Sequence, residues 1–298
     1  MQSDKTCSIC PRRCGADRST GAGFCGMPAG VRLAKAALHP WEEPCLCGEH
    51  GSGAIFFCGC NLRCVYCQNR DVSQGLLPGR AFSARELGEL MLRLRDRGAC
   101  NINLVTPTHY AAALIPVLRE VRPRLGIPVV YNCGGYESVD TLRTLEGLID
   151  VYLPDCKYFD SALSARYSAA PDYFPVALAA LREMLRQTGA PVFAADGTLL
   201  RGVLVRHLVL PGCRQDSMRV LRELHDACGS SAFLLSLMRQ YSPEFAPPDA
   251  DPNLRRRLTS FEYASVLETA RSLGFRGYVQ SRSSSGTAYT PDFRNATF

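Results

Sequence analysis

Short apolar runs alternate with amphipathic helical patterns along the chain from Ser52 onward. Apolar positions that recur at helical spacing indicate a helix with one buried face, whereas a compact apolar run indicates a buried strand. The runs predicted as strands are Ala54–Cys58, Asn101–Val105, Val129–Cys133, Val151–Leu153, Val203–Leu210 and Phe233–Leu237. Because these strands alternate with helices, the pattern predicts a parallel α/β sheet, either doubly wound or curled into a barrel.

Local signals predict where several elements begin and end. Capping boxes at Ser83–Glu86 and Thr259–Glu262 predict helix starts. Asp196-Gly197 is a hairpin-turn signal, and Ser242–Asn253, rich in Pro and Asp, is predicted as a loop. In parallel α/β folds the functional groups gather at the carboxyl ends of the strands. The segments at those predicted ends are Cys58–Cys67, Thr106–Tyr110, Cys133–Glu137, Asp155–Lys157, Pro211-Gly212 and Met238–Tyr241.

Cysteine is the residue whose use departs most from an ordinary globular composition. The chain has 15 cysteines, and ten of them lie within the first 67 residues. The first 30 residues lack the apolar core of a signal peptide, which predicts a cytoplasmic protein. No run of 18 apolar residues is present, so no membrane-spanning helix is predicted. In a reducing compartment, clustered cysteines indicate metal or cluster ligands rather than disulfides.

Charge adds little to the functional interpretation. The chain carries 31 Arg and 3 Lys against 28 Asp and Glu, for a net charge of +6. The acidic residues are interspersed throughout, which favours a solvated Arg-rich surface over a nucleic-acid footprint.

The most informative motif follows the first predicted strand directly. Cys60, Cys64 and Cys67 have the spacing C-x3-C-x2-C, which lets three thiolates converge from a single loop. A closed structural zinc site takes four ligands, so three are too few for it. Three thiolates suit a 4Fe–4S cubane in which one iron has no protein ligand.

With Tyr66 as the aromatic residue before the last cysteine, this loop resembles the signature of the radical S-adenosylmethionine (SAM) superfamily. The wider stretch of Glu42-Glu43-Pro44, Gly51-Ser52-Gly53 and the loop through Asn69 resembles an uncharacterised branch of proteins similar to pyruvate formate-lyase activating enzyme. The likeness covers essentially the whole chain. It implies an α/β fold, a partial (β/α)6 TIM-like barrel at residues 51–298, preceded by a cysteine-rich N-terminal extension at residues 1–50.

The resemblance also implies a reaction and its cofactors. The open iron would chelate the methionine part of SAM, and one electron would cleave SAM into methionine and a 5′-deoxyadenosyl radical that abstracts hydrogen. The electron would come from a one-electron donor such as flavodoxin or ferredoxin. The hydrogen would come from an unidentified substrate, with the glycine of a glycyl-radical enzyme as one candidate.

The resemblance extends to further cofactor-binding residues. It places Tyr66 near the adenine of SAM. Relatives often have Gly-Gly-Glu after the second strand to meet the methionine amine. This chain has Thr106-Pro107-Thr108-His109 there, so Thr106 and Thr108 are the candidates, although Thr108 would also suit a helix N-cap. Asp155 and Lys157 resemble an Asp-x-Lys pair of glycyl-radical activating enzymes, and a surface salt bridge is the competing interpretation.

A second group of cysteines precedes the barrel. Cys7, Cys10, Cys14 and Cys25 supply four thiols within a segment that is rich in glycine and poor in core residues. Four thiolates permit either a second 4Fe–4S cluster or a closed zinc site.

An alternative hypothesis makes the chain a non-enzymatic module in which the N-terminal cysteines form a zinc knuckle and the Arg excess binds RNA. It leaves the loop from Cys60 to Cys67 without a role. No motif in the sequence specifies the substrate.

Overall fold

A single curved sheet organises the chain. The computed structural model describes residues 6–281 together with residues 291, 293 and 298. Its strands are β1 (Arg32–His39), β2 (Ser52–Phe57), β3 (Arg80–Ala81), β4 (Ile102–Val105), β5 (Val129–Cys133), β6 (Val151–Pro154), β7 (Val192–Phe193), β8 (Leu199–Leu208), β9 (Leu234–Met238) and β10 (Gly277–Val279). Neighbours follow the order β10-β9-β8-β6-β5-β4-β2-β1-β3, and β7 pairs with β8 outside this path.

Helices connect the strands. They are α1 (Pro44–Cys47), α2 (Arg70–Ser73), α3 (Ala84–Asp96), α4 (Ala111–Leu125), α5 (Val139–Thr144), α6 (Ser161–Ser168), α7 (Tyr173–Thr188), α8 (Arg214–Cys228) and α9 (Ser260–Ser272). Single 3₁₀ turns occupy Thr108–Tyr110, Pro243–Phe245 and Pro252–Arg255. Both predicted capping boxes are present, at the starts of α3 and α9. Among these helices, none combines the length and the apolar character that crossing a membrane requires.

The predicted strands form the parallel part of the sheet. β2, β4, β5, β6, β8 and β9 pair in chain order with parallel registers, and β10 adds a short parallel strand beside β9. Within the described residues the strand order ends at β10 on one side and at β3 on the other, so the barrel is partial. The prediction of an α/β fold with a partial barrel is confirmed. The predicted hairpin around Asp196-Gly197 is also present, between β7 and β8.

β1 is a strand that the sequence analysis did not predict. Its sequence, Arg-Leu-Ala-Lys-Ala-Ala-Leu-His, contains no β-branched residue and is typical of a helix. Its strand conformation comes from antiparallel pairing with β2 and β3, which supplies its backbone hydrogen bonds. Residues 32–39 therefore join the barrel sheet, while the proposed domain division between residues 50 and 51 stays a prediction.

The connection from β4 to α4 also differs in detail from the prediction. A 3₁₀ turn at Thr108–Tyr110 precedes α4, and Tyr110 occupies the N-cap position without a side-chain hydrogen bond. Thr108 is therefore not the helix cap. Its hydroxyl instead donates to Glu137 at 2.6 Å, because the carboxylate lies directly beside it in the core.

Candidate active site

The three-cysteine loop leaves the carboxyl end of β2 and leads into α2. Gly59 opens the loop with a φ of +82°, a backbone conformation that glycine adopts without steric cost. The chain then turns so that Cys60, Cys64 and Cys67 all line one cavity. The structure therefore brings the three predicted cluster ligands together at the mouth of the barrel.

Each of the three sulfur atoms has a hydrogen-bonding partner that is able to donate to it. The partners are the Leu62 N–H at 3.3 Å from Cys60 Sγ, the Ser168 hydroxyl at 2.9 Å from Cys64 Sγ and the Ser73 hydroxyl at 3.2 Å from Cys67 Sγ. Burial raises the pKa of the Cys60 and Cys67 thiols, so the free thiols keep their protons at neutral pH. A bound metal therefore has to displace protons, and the surrounding donors then stabilise the thiolates.

The cavity has a volume of about 530 Å³ and lies at the carboxyl ends of the parallel strands. Of the residues predicted to bind SAM, Thr106, Asp155 and Lys157 line it beside the cysteines. Its volume falls within the range of about 300–1,000 Å³ that is typical of small-molecule sites. The cavity is thus large enough for a nucleoside-sized ligand next to the three thiols.

Charged side chains form a connected network on the wall of this cavity. Lys157 Nζ lies 2.6 Å from one oxygen of Asp155, and Arg206 Nε lies 3.1 Å from the other. Arg206 also donates to the Asn132 side-chain oxygen at 2.6 Å and pairs with Glu42 at 3.6 Å. Burial raises the pKa of Asp155, but the positive charges of Lys157 and Arg206 outweigh burial and hold that pKa below its ordinary value. Asp155 is therefore ionised, and the network holds its charges in fixed positions.

Thr106 occupies an unusual backbone position at the end of β4. Its φ is +61°, a left-handed value that a β-branched residue adopts at a cost of about 1–3 kcal/mol. The Thr106 N–H donates to the Asn132 carbonyl at 2.8 Å, which ties it to the neighbouring strand β5. Strain of this kind is typical of ligand-binding sites, and Thr106 lines the cavity wall.

Strand-end reasoning did not identify Glu42 and Glu43, which line the same cavity. They lie between β1 and α1, before the first predicted strand, so the predicted topology gave no reason to place them at the mouth. The Asn103 side-chain amide donates to Glu42 at 2.8 Å. Burial, followed by the nearby Glu42 charge, raises the pKa of Glu43 to about 7. Their signal in the sequence was the acidic pair beside Pro44, which the family resemblance includes without assigning it a role.

Two of the predicted SAM-binding residues lie away from the cavity surface. Tyr66 is only 7% exposed, and its hydroxyl lies 2.5 Å from that of Tyr158. Thr108 is fully buried, with its hydroxyl bound to Glu137. The roles that the resemblance implies for Tyr66 and Thr108 stay predictions.

The N-terminal cysteines lie close to one another in a compact knot. A Cβ atom placed on Gly23 would lie 3.3 Å from Cys14 Sγ and 3.6 Å from Cys25 Sγ, so these two sulfurs flank the glycine. Cys7 and Cys14 share a side-chain hydrogen bond. Burial raises the pKa of Cys10 to about 12 in the same knot. The structure thus places Cys7, Cys14 and Cys25 near one another with Cys10 buried in the same segment, while their binding of a metal stays a prediction.

This knot is docked directly on the three-cysteine loop. The Cys60 N–H donates to the Cys25 carbonyl at 3.3 Å, and Arg12 Nε donates to the Asn61 carbonyl at 2.7 Å. Arg63 donates to the Phe24 carbonyl at 3.1 Å, and its guanidinium lies 4.6 Å from the centre of the Phe24 ring. The two groups of cysteines therefore share one continuous region of the molecule.

The thiols of the three-cysteine loop fit a cluster rather than a single metal ion. The described part of the chain contains no group of three or more His, Cys, Asp or Glu side chains that is placed to hold a single metal ion. A 4Fe–4S cubane makes a different demand, because each thiolate binds a different iron and the ligands surround a volume. Three thiols around one cavity, each with a hydrogen-bonding partner, fit a cubane with one iron open to a ligand.

Known proteins resemble this chain at two levels. A scan against protein-family models found no match. In structure, the chain is similar to methylornithine synthase (PylB), with 16% identity and a TM-score of 0.50 over 74% of this chain. It spans 60% of the length of that enzyme. Streptococcus suis SuiB bound to S-adenosylmethionine is similar over 74% of this chain and 48% of SuiB, with 15% identity and a TM-score of 0.46.

Both of these structures are radical SAM enzymes. The likeness to methylornithine synthase shows that the chain has the partial-barrel fold of that enzyme. In sequence, the chain is 30% identical over 278 residues to the uncharacterised protein MJ0674 of Methanocaldococcus jannaschii. The match covers 89% of this chain and 74% of the relative. The chain therefore belongs to the family of the Methanocaldococcus jannaschii protein MJ0674.

Proposed function

We propose that this protein is a radical SAM enzyme whose 4Fe–4S cluster is held by Cys60, Cys64 and Cys67. The observation that carries the proposal is the shared cavity: three thiols from one strand-end loop line it together with Asp155 and Lys157. The fold that the chain shares with methylornithine synthase supports the same assignment. When bound, the cluster would supply the electron that cleaves SAM into methionine and a hydrogen-abstracting radical.

The residues of the chain would orient SAM and exclude water from it. The Asp155 carboxylate, held ionised by Lys157 and Arg206, is placed to bind the SAM ammonium or ribose hydroxyl groups. Lys157 and Arg206 are the cations available for the SAM carboxylate, because both line the same wall. Thr106 lines the same cavity, and its carbonyl and hydroxyl oxygens are the atoms that would accept from the ammonium.

The electron donor would bind the surface beside the three-cysteine loop. A second cavity, of about 360 Å³, lies there and is lined by Cys25, Cys60, Arg63 and Arg70 among others. Arg63 donates to a backbone carbonyl, which has no net charge, so its positive charge persists at this surface. We therefore expect an acidic one-electron carrier, such as flavodoxin or ferredoxin, to bind here. Arg63→Glu should lower the reduction rate by this donor, while Arg119→Glu on α4 should leave it unchanged.

The hydrogen donor for the radical would enter through the opening of the large cavity. Trp41 and Val279 line this cavity and are 62% and 57% exposed, respectively. Exposed apolar side chains at a cavity rim are typical of surfaces that bind a partner or a substrate. A glycyl-radical enzyme is one candidate partner, and it would present its glycine on an inserted loop. The diagnostic result is a glycyl-radical EPR doublet after incubation with that partner and SAM.

We further propose that Cys7, Cys10, Cys14 and Cys25 bind a second 4Fe–4S cluster, with zinc as the alternative. Support comes from the Cys14 and Cys25 sulfurs that flank Gly23, from the hydrogen bond between Cys7 and Cys14, and from the docking of this segment on the three-cysteine loop. Metal analysis after anaerobic reconstitution separates the possibilities. About eight irons per chain would support two clusters, whereas about four irons with zinc would support one cluster and a zinc site. A chain with about four irons and no zinc would contradict both assignments.

The decisive test of the main proposal is SAM cleavage by the reconstituted, reduced protein. Wild-type protein should form 5′-deoxyadenosine, and Cys64→Ala should abolish that product because the cluster loses a ligand. Cys228→Ala, at the end of α8, is the matched control and should retain the activity. Undiminished product in Cys64→Ala would overturn the assignment. Colourless zinc protein with salt-sensitive RNA binding would instead support the zinc-knuckle alternative.

A further inference from the structure

A chain of buried hydroxyl groups ends on the sulfur of Cys64. The Ser168 hydroxyl lies 2.9 Å from Cys64 Sγ and 2.8 Å from the Tyr158 hydroxyl. The Tyr158 hydroxyl lies 2.5 Å from that of Tyr66. Ser168, Tyr158 and Tyr66 are 0%, 1% and 7% exposed, respectively, so protein rather than solvent surrounds the chain of hydrogen bonds.

Two independent elements hold this chain of hydroxyls in place. Ser168 is the last residue of α6, and the preceding Tyr167 accepts at its carbonyl from the Val65 N–H of the three-cysteine loop at 2.9 Å. Arg12 of the N-terminal knot donates to the Ser168 carbonyl at 3.1 Å. The end of α6 is thereby fixed against the loop, and the Ser168 hydroxyl is aimed at Cys64.

The direction of the hydrogen bonds follows from the state of Cys64. A free thiol is able to donate its proton to Ser168, so the hydrogen bonds between the hydroxyl groups have no fixed direction in the metal-free protein. An iron-bound thiolate has no proton and only accepts. Ser168 must then donate to Cys64 Sγ, Tyr158 to the Ser168 oxygen and Tyr66 to the Tyr158 oxygen. Binding of iron therefore aligns three hydroxyl dipoles toward one sulfur.

We propose that Ser168, backed by Tyr158 and Tyr66, is a positioning residue that raises the reduction potential of the cluster by donating to the Cys64 sulfur. The inference rests on the proposed cluster at Cys60, Cys64 and Cys67. A hydrogen bond to a cluster thiolate stabilises the reduced, more negative state, so its presence eases reduction. In a buried chain each hydroxyl polarises the next, which strengthens the bond that reaches the sulfur.

An EPR-monitored redox titration of the anaerobically reconstituted protein tests this proposal. Ser168→Ala should move the midpoint potential of the cluster to a more negative value. Tyr158→Phe keeps the ring and removes only the hydroxyl, so it should move the potential in the same direction by a smaller amount. Resonance Raman spectra should show a shifted iron–thiolate stretch in Ser168→Ala, because a lost hydrogen bond changes the covalency of that bond.

Ser164→Ala is the matched control. Ser164 lies one turn earlier in α6, is 1% exposed, and its hydroxyl donates within the helix to the Ser161 carbonyl at 3.1 Å. It should keep the wild-type potential and spectrum. Equal potentials and spectra in wild type, Ser168→Ala and Tyr158→Phe at full iron content would overturn the proposal. If Ser168→Ala does not retain iron, an unshifted Tyr158→Phe alone overturns it. A wild-type protein that binds no cluster would instead overturn the proposed function and this inference together.

Discussion

Replacing Glu137 by Gln should make the stability of the chain less dependent on pH. Glu137 is 2% exposed and accepts hydrogen bonds from the Thr108 hydroxyl at 2.6 Å and the Tyr131 hydroxyl at 3.1 Å. Burial raises the pKa of its carboxyl group to about 7, despite these hydrogen bonds. The residue joins the loop after β5 to the turn after β4, behind the wall of the large cavity.

The sign and size of the effect follow from proton linkage. In the unfolded chain the pKa of Glu137 returns to its ordinary value of 4.5, so the folded state binds the extra proton between pH 4.5 and about 7. The stability associated with that proton is present below pH 4.5 and is lost as the pH rises through about 7. At about 1.36 kcal/mol per pKa unit, the rise from 4.5 to about 7 corresponds to roughly 3 kcal/mol.

Urea unfolding of the reduced, metal-free chain at about pH 5 and about pH 8 measures this difference. Glu137→Gln cannot ionise, and its amide keeps both neighbours hydrogen-bonded because a hydroxyl also accepts. When the pH rises from about 5 to about 8, the free energy of unfolding of the variant should increase by roughly 2–3 kcal/mol relative to that of wild type. Glu120→Gln, on the surface of α4, is the control and should keep the wild-type pH dependence. If Glu137→Gln keeps it as well, the carboxyl does not titrate as inferred.

Three further changes have outcomes that the structure predicts. Gly135→Ala should destabilise the fold by several kcal/mol in thermal unfolding, since the added Cβ would overlap the Asp155 carbonyl. Gly147→Ala is the control: Gly147 has a similar φ of +76° but open space around it, so this change should cost only about 1 kcal/mol. Equal losses of stability in the two variants would contradict the overlap. Arg206→Met should lower the free energy of unfolding by about 3 kcal/mol and weaken SAM binding in equilibrium dialysis, because it removes the cation that pairs with Glu42 and one of the two cations that pair with Asp155. Unchanged stability and affinity would count against the network. Arg12→Met should speed the loss of iron to a chelator several-fold, since it removes hydrogen bonds from the N-terminal knot to the three-cysteine loop and to α6. An unaltered rate of iron loss would show that the docked knot does not support the loop.

Local sequence signals predicted the parallel part of the fold, because the pattern that specifies each of these strands and helices lies within the element itself. The alternation of apolar runs with helical patterns predicts the parallel strands β2, β4, β5, β6, β8 and β9, and the two capping boxes predict the starts of α3 and α9, since each element buries its own apolar face. β1 was missed because its sequence favours a helix, and only pairing with β2 and β3 makes it a strand. The helix-cap interpretation of Thr108 failed for a related reason, because its partner Glu137 lies 29 residues further along the chain.

The sequence by itself determined which three thiols lie together at one strand end. Cys60, Cys64 and Cys67 need no tertiary information to be proposed as a ligand set, because their spacing on one loop keeps them close. Tertiary structure decided what surrounds them. Glu42 and Arg206 lie 164 residues apart in sequence but 3.6 Å apart in space, and Ser168 reaches Cys64 across 104 residues. Contacts of that separation depend on how the strands curl and where α6 ends, and no local pattern encodes either of these features.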